Sequence, residues 1–187
     1  MTYVSIDDPS HLYFVTASIV GWKQIFRNHD YAMIVLRSLE WLHDQQRMKI
    51  FAFVLMYSHL HILIKPEGIT IGNLLRQFGS FSAHEIVNKL KTDKQIDMLL
   101  YFKENRRGKR INFSIWQDIQ AKNIYSDSYL WEKFEYIHNN PVAEEWCLVD
   151  DRADYEFSSA CYYDRGIQPI IPIDDVRDFF DYSEEDK

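Results

Sequence analysis

Ile50-Phe51-Ala52-Phe53-Val54-Leu55-Met56-Tyr57-Ser58-His59-Leu60-His61-Ile62-Leu63-Ile64-Lys65, closed by Pro66-Glu67-Gly68, decides the fold of this chain. Its first half, Ile50 to Tyr57, is nearly all apolar and of strand length, which predicts a central strand covered on both faces. Ser58 to Lys65 alternates instead. Side chains in a strand point to opposite faces in turn, so His59 and His61 share one face and Leu60, Ile62 and Ile64 the other. The Pro-Glu-Gly triplet stops the second strand.

Working outward, His11 to Ser18 carries Leu12, Phe14 and Val15 and reads as a first strand. Asp30 opens a helical pattern (Met33, Ile34, Leu36, Arg37, Trp41) that runs to about Arg47. Thr70 caps a second helix that turns Leu74, Leu75, Phe78, Phe81 and Ile86 to the core. A Lys/Arg-rich stretch follows, with Gly108 marking a loop and Ile111 to Ile115 offering a further strand. Asp127 or Ser128 then caps a helix that finishes near Asn139, because Pro141 pushes Asn140 out of helical geometry. The order predicts an α+β fold: a ferredoxin-like split βαβ antiparallel sheet with helices on one face and an added C-terminal helix. We expect one domain over 1–165 and an acidic tail over 166–187.

Composition narrows the function classes. At 187 residues, about half of them apolar, the chain can build a core of its own. No run approaches the roughly 18 apolar residues of a membrane span, and no secretory signal is visible. Cys147 and Cys161 make no disulfide framework or zinc cluster and fit a reducing cytoplasm. The formal charge of −7 is unlike a nucleic-acid-binding protein, but its distribution is uneven. Seven acids stand between Asp174 and Lys187 against Arg177 and Lys187. Between Ile86 and Lys122, Lys89, Lys91, Lys94, Lys103, Arg106, Arg107, Lys109, Arg110 and Lys122 outnumber four acids. A solvated helix face and a solubilising tail account for this pattern as well as a binding surface does.

Two constellations carry chemistry. His59 and His61, two apart on a rigid strand, can share one metal ion; they also fit two hydrogen-bonded strand histidines. The segment Tyr129 to Val142, wound as a helix, puts Leu130, Phe134 and Ile137 on an apolar stripe and Tyr129, Lys133, Tyr136 and Asn140 on an adjacent face. Tyr136 and Asn140 could thus present a phenol and an amide oxygen to one point. Equally, Tyr136 can pack at the core edge and Asn140 can end the helix.

Taken together these segments resemble the HUH single-tyrosine transposases, above all their REP-associated branch. His59-Leu60-His61 matches the HUH motif, Tyr136-Ile137-His138-Asn139-Asn140-Pro141-Val142 matches the tyrosine helix, and Tyr155-Glu156-Phe157-Ser158-Ser159 matches a downstream Tyr-x-x-Ser-Ser element. Two departures stand out: Met56-Tyr57-Ser58 precedes the first histidine where Met-Pro-Asn or Met-Pro-Asp is usual, and Ala143-Glu144-Glu145 replaces an Arg-Ala-Gly. The resemblance implies a metal-dependent single-stranded DNA endonuclease and strand transferase acting on hairpin DNA. Tyr136 would be the nucleophile, and His59, His61 and Asn140 would hold Mg²⁺ or Mn²⁺. Lys133, Arg106, Arg107, Lys109 and Arg110 would contact DNA, with Tyr101, Phe102 and Phe113 stacking bases. Such a protein works as a monomer or homodimer, away from membranes. The alternative is a non-catalytic single-strand-binding protein derived from a transposase.

Overall fold

The computed structural model describes residues 10–106, 108 and 112–179. Four strands form one antiparallel sheet: β1 (Tyr13–Ile19), β2 (Met48–Leu55), β3 (His59–Pro66) and β4 (Trp116–Asn123), in the order β2-β3-β1-β4. This is the ferredoxin-like order, the second and third strands pairing as neighbours and the first strand lying inside. Helices α1 (His29–Asp44) and α2 (Ile71–Thr92) cover one face. There Leu39 and Leu42 of α1 and Leu74, Leu75 and Phe78 of α2 meet Val15, Leu60, Ile62 and Ile64. Helix α3 (Ile96–Glu104) packs on α2, α4 (Asp127–Asn139) lies across β2 and β3 on the opposite face, and the short α5 is Ala160–Arg165.

Caps fall where small polar side chains can reach a free N–H. Asn28, not Asp30, caps α1 by accepting from the Asp30 N–H at 2.9 Å. Thr70 caps α2 as expected, accepting from the Asn73 N–H. Ser126, rather than Asp127 or Ser128, caps α4 through the Tyr129 N–H.

Three expectations need correction. First, β2 is an edge strand, although its residues are almost all buried. Its free edge is covered by residues 157–159: Leu55 N–H donates to the Phe157 carbonyl at 2.8 Å, Ser159 N–H to the Phe53 carbonyl at 3.0 Å, and Val54 bridges Ser158. Both faces and the outer edge are therefore dry, which is what the unbroken apolar run encodes. Second, the fourth strand is Trp116–Asn123; of the expected Ile111–Ile115, residues 112–115 form no strand and Ile111 lies outside the described residues. Ile119 and Ala121 pair with Ala17 and Val15 over the helices, where Trp116 also packs against Phe78, while Asp118, Gln120 and Lys122 interrupt the apolar pattern. Third, the chain packs past residue 166: Ile171 and Val176 are fully buried, and the Asp174 N–H donates to the Ile50 carbonyl. Residues 180–187 of the expected tail lie outside the described residues.

After β1 the chain turns through a single 3-10 turn, Val20–Trp22, in which Gly21 has φ 62°. The Tyr101 hydroxyl sits 1.9 Å from where a Gly21 Cβ would be. Gly21→Ala should therefore combine left-handed strain with a displaced Tyr101, costing about 1–3 kcal/mol in urea unfolding.

Candidate active site

The site is built where β3 meets α4. Because β3 alternates, Leu60, Ile62 and Ile64 enter the helical core and His59 and His61 emerge together under α4, only 4 % and 5 % exposed. Their ring centroids are 4.9 Å apart. Each imidazole is fixed by a hydroxyl: His61 Nδ1 lies 2.9 Å from Thr16 Oγ1, its cross-strand partner on β1, and His59 Nδ1 lies 3.2 Å from Ser58 Oγ. Phe14 stacks on His61 at 5.4 Å.

Burial disfavours a charged imidazole, and that is the main reason both pKa values fall. His61 drops to about 3, with His59 and Lys133 adding to the effect. His59 is lowered too, opposed by its hydrogen bond to Asn140 and by the Glu145 carboxylate. Both rings are thus neutral at physiological pH, the state in which imidazole ligates metals.

Helix α4 brings the remaining groups. Leu130, Phe134 and Ile137 are buried, as the periodicity predicts, and Tyr136 emerges 47 % exposed. Its hydroxyl lies 3.4 Å from His61 Nε2 and its ring stands edge-on to His61 at 5.0 Å. Lys133 Nζ sits 5.5 Å from the Tyr136 ring centroid, 5.1 Å from Tyr129 and 5.6 Å from Phe14, and pairs with Glu132 at 2.7 Å.

Asn140 departs from expectation. It keeps helical angles (φ −52°, ψ −47°) in spite of Pro141, because α4 runs straight into a 3-10 turn, Asn140–Val142. Pro141 has no N–H to lose there, and the Ala143 N–H recovers the Asn139 carbonyl at 3.1 Å. Buried Asn140 consequently stays on the tyrosine face: its Nδ2 donates to the Tyr136 carbonyl at 2.9 Å while its side chain also bonds His59.

Among the described residues no three His, Cys, Asp or Glu side chains gather as a metal group. The donor set that does converge is two neutral imidazoles and one carboxamide oxygen, an uncharged mixed N/O set. Such a set could hold a divalent cation.

The expected DNA-contact residues are not all in one place. Lys133 is at the site. Arg106 is exposed just beyond α3 and donates to the Lys103 carbonyl at 2.9 Å. Arg107, Lys109 and Arg110 lie outside the described residues. Phe102 is fully buried, so it cannot stack a base; the Ser114 N–H donates to its carbonyl. Tyr101 is engaged at Gly21, with Lys23 Nζ 4.4 Å above its ring.

Other residues proved more important than periodicity could show. His138, fully buried on α4, has its Nε2 2.7 Å from Ser159 Oγ, and that same oxygen accepts from the Phe53 N–H at 2.9 Å. Tyr155 donates to the Leu55 carbonyl. The Tyr-x-x-Ser-Ser element is thus a clasp that seals β2 and locks the tyrosine helix. Arg152 tightens it by bridging Glu135 and Asp164 at 2.6 and 2.7 Å. Ser159→Ala should leave two buried polar groups without their shared partner and cost roughly 2–4 kcal/mol, read as a fall in the urea midpoint at unchanged slope.

No protein-family model and no curated protein matches the chain. Among solved structures, a REP-associated tyrosine transposase bound to a REP hairpin superposes with a TM-score of 0.64 at 20 % identity, covering 94 % of this chain and 93 % of that one. A protein of Deinococcus radiodurans assigned as a transposase gives 0.44 at 15 % identity over 74 % of this chain and 94 % of its own. Among the described residues no helix is long and apolar enough to cross a membrane. The chain has the fold of a REP-associated tyrosine transposase.

Proposed function

We propose that this chain is an HUH single-tyrosine transposase of the REP-associated branch, a metal-dependent endonuclease and strand transferase for single-stranded hairpin DNA. One observation carries the reading. The Tyr136 hydroxyl, alone among the converging groups in being both nucleophilic and exposed, lies 3.4 Å from a buried neutral imidazole that shares its site with a second imidazole and Asn140. A buried aromatic cluster with no chemistry to perform would not hold three potential metal donors against one solvent-facing phenol. The solved neighbour with this fold is bound to a REP hairpin, which supports hairpin DNA as the substrate class.

His59, His61 and the Asn140 carboxamide would hold Mg²⁺ or Mn²⁺, which when bound supplies Lewis-acid polarisation of the scissile phosphate. The residues do the rest. Tyr136 Oη attacks phosphorus in line; the bond to the 3′-oxygen breaks, giving a 5′-phosphotyrosine and a free 3′-hydroxyl. The Lys133 ammonium beside the ring is placed to meet a phosphate oxygen. Thr16 and Ser58 hold the imidazoles in register. Attack of an incoming 3′-hydroxyl on the phosphotyrosine reverses the steps and joins strands without a nucleotide cofactor. The protein would act in the cytoplasm as a monomer or homodimer.

A denaturing gel of the full chain with a labelled hairpin oligonucleotide and Mn²⁺ tests this: a covalent protein–DNA band is expected. A second reading, single-strand binding without cleavage, is favoured by Glu145, whose carboxylate acts on His59 where the resembling sequences carry a basic residue nearby. Binding with no covalent band in Mn²⁺ would select it.

A further inference from the structure

We propose that Trp22 is a nucleobase platform, its indole stacking one base of the single strand about one or two nucleotides from the phosphate at Tyr136. The inference rests on the reading of this site as a single-strand DNA site. Trp22 ends the 3-10 turn after β1 with φ 54°, in the left-handed region that a bulky L-residue seldom occupies. Such a backbone persists only where surrounding structure over-determines it. Here it does: the Val20 N–H donates to the Ile115 carbonyl, the Gly21 N–H to Gln117 Oε1 at 3.1 Å, and Tyr101 closes on Gly21.

Burial does not repay the strain, because the indole is 53 % exposed. What the turn achieves is placement. The Trp22 ring stands edge-on to His59 at 5.4 Å, His59 to His61 at 4.9 Å and His61 to Tyr136 at 5.0 Å, a continuous run of rings from the platform to the phenol. Trp146 also packs against His59 at 5.5 Å, while more than half of the Trp22 surface stays open to solvent. Lys23, next in the chain, holds its ammonium 4.4 Å over the ring of Tyr101, whose hydroxyl closes on Gly21. An exposed aromatic plane is how proteins hold single strands with little sequence preference, since every base has a π-face.

Fluorescence anisotropy of the full chain with a fluorescein-labelled DNA hairpin bearing single-stranded flanks, in chelator so that metal ligation does not enter, tests the platform. Trp22→Gly removes the ring and relieves the left-handed strain, so its thermal unfolding should match or exceed wild type; Trp22→Phe keeps a smaller ring. Trp22→Gly should weaken binding about tenfold or more and Trp22→Phe much less. A single abasic site, scanned along the flanks, should weaken wild type at one position and leave Trp22→Gly unaffected there. Equal binding by wild type and Trp22→Gly, or abasic penalties that are the same in both proteins at every position, would overturn the platform while leaving the proposed function intact. Wild type that binds none of these oligonucleotides would remove both.

Discussion

Tyr136→Phe is expected to abolish the covalent protein–DNA band and strand transfer, while hairpin binding should stay close to that of wild type. The first half follows from chemistry: without Oη no phosphotyrosine can form, and the expected loss is complete to the detection limit. The second half follows from structure. The hydroxyl's hydrogen bond among the described residues is the long one of 3.4 Å to His61, and the side chain is half exposed, so little stability depends on it. The phenyl ring still packs edge-on to His61 and Phe14, and Lys133 still lies over it. Stability should change by less than about 1 kcal/mol. A surviving band in Tyr136→Phe would move the nucleophile, and Tyr129 is the next phenol on the same face, its ring 5.1 Å from Lys133 Nζ.

How much of this was legible in the sequence differs from element to element. The facing of His59 and His61 followed from the period of a strand, and the placement of Tyr136 beside Lys133 from the period of a helix, because both are local geometry. Strand order was harder, since an apolar run reports that a strand is dry and not which neighbour dries it. β2 reads as central for that reason, its outer edge being sealed by residues more than a hundred positions later. β4 was missed by several residues because an open face leaves it Asp118, Gln120 and Lys122, with Trp116, Ile119 and Ala121 spaced too irregularly to make a pattern. Asn140 was expected on the tyrosine face but out of helical geometry before Pro141; that local preference of modest size gave way to a 3-10 turn that keeps the carboxamide buried. The His138–Ser159 clasp and the hydroxyls of Thr16 and Ser58 join residues that are distant in sequence or carry no periodic signal. Trp22 was invisible because nothing in a sequence announces a left-handed tryptophan.

His61→Ala should lower the rate of adduct formation in Mn²⁺ by about 10²–10⁴-fold, the share of a barrier that metal polarisation of a phosphate typically supplies. His59→Ala should fall in the same range, and excess chelator should reduce wild type to the level of either variant. The three results are one prediction, because all remove the same cation. They are separable from misfolding: His61 stacks on Phe14 and fills space under α4, so His61→Ala also loses packing, whereas His61→Gln keeps volume and should retain the fold while losing most of the rate. Thr16→Val supplies the finer test. It preserves the shape of β1 but removes the hydroxyl 2.9 Å from His61 Nδ1, which should weaken Mn²⁺ binding roughly 10–100-fold and leave saturated activity largely restored at high metal. Two further outcomes would separate the metal from the imidazoles. Undiminished adduct formation in excess chelator would exclude the cation. Loss in His61→Gln with unchanged Mn²⁺ affinity would instead assign His61 a role at the Tyr136 proton, which its Nε2 is near enough to accept.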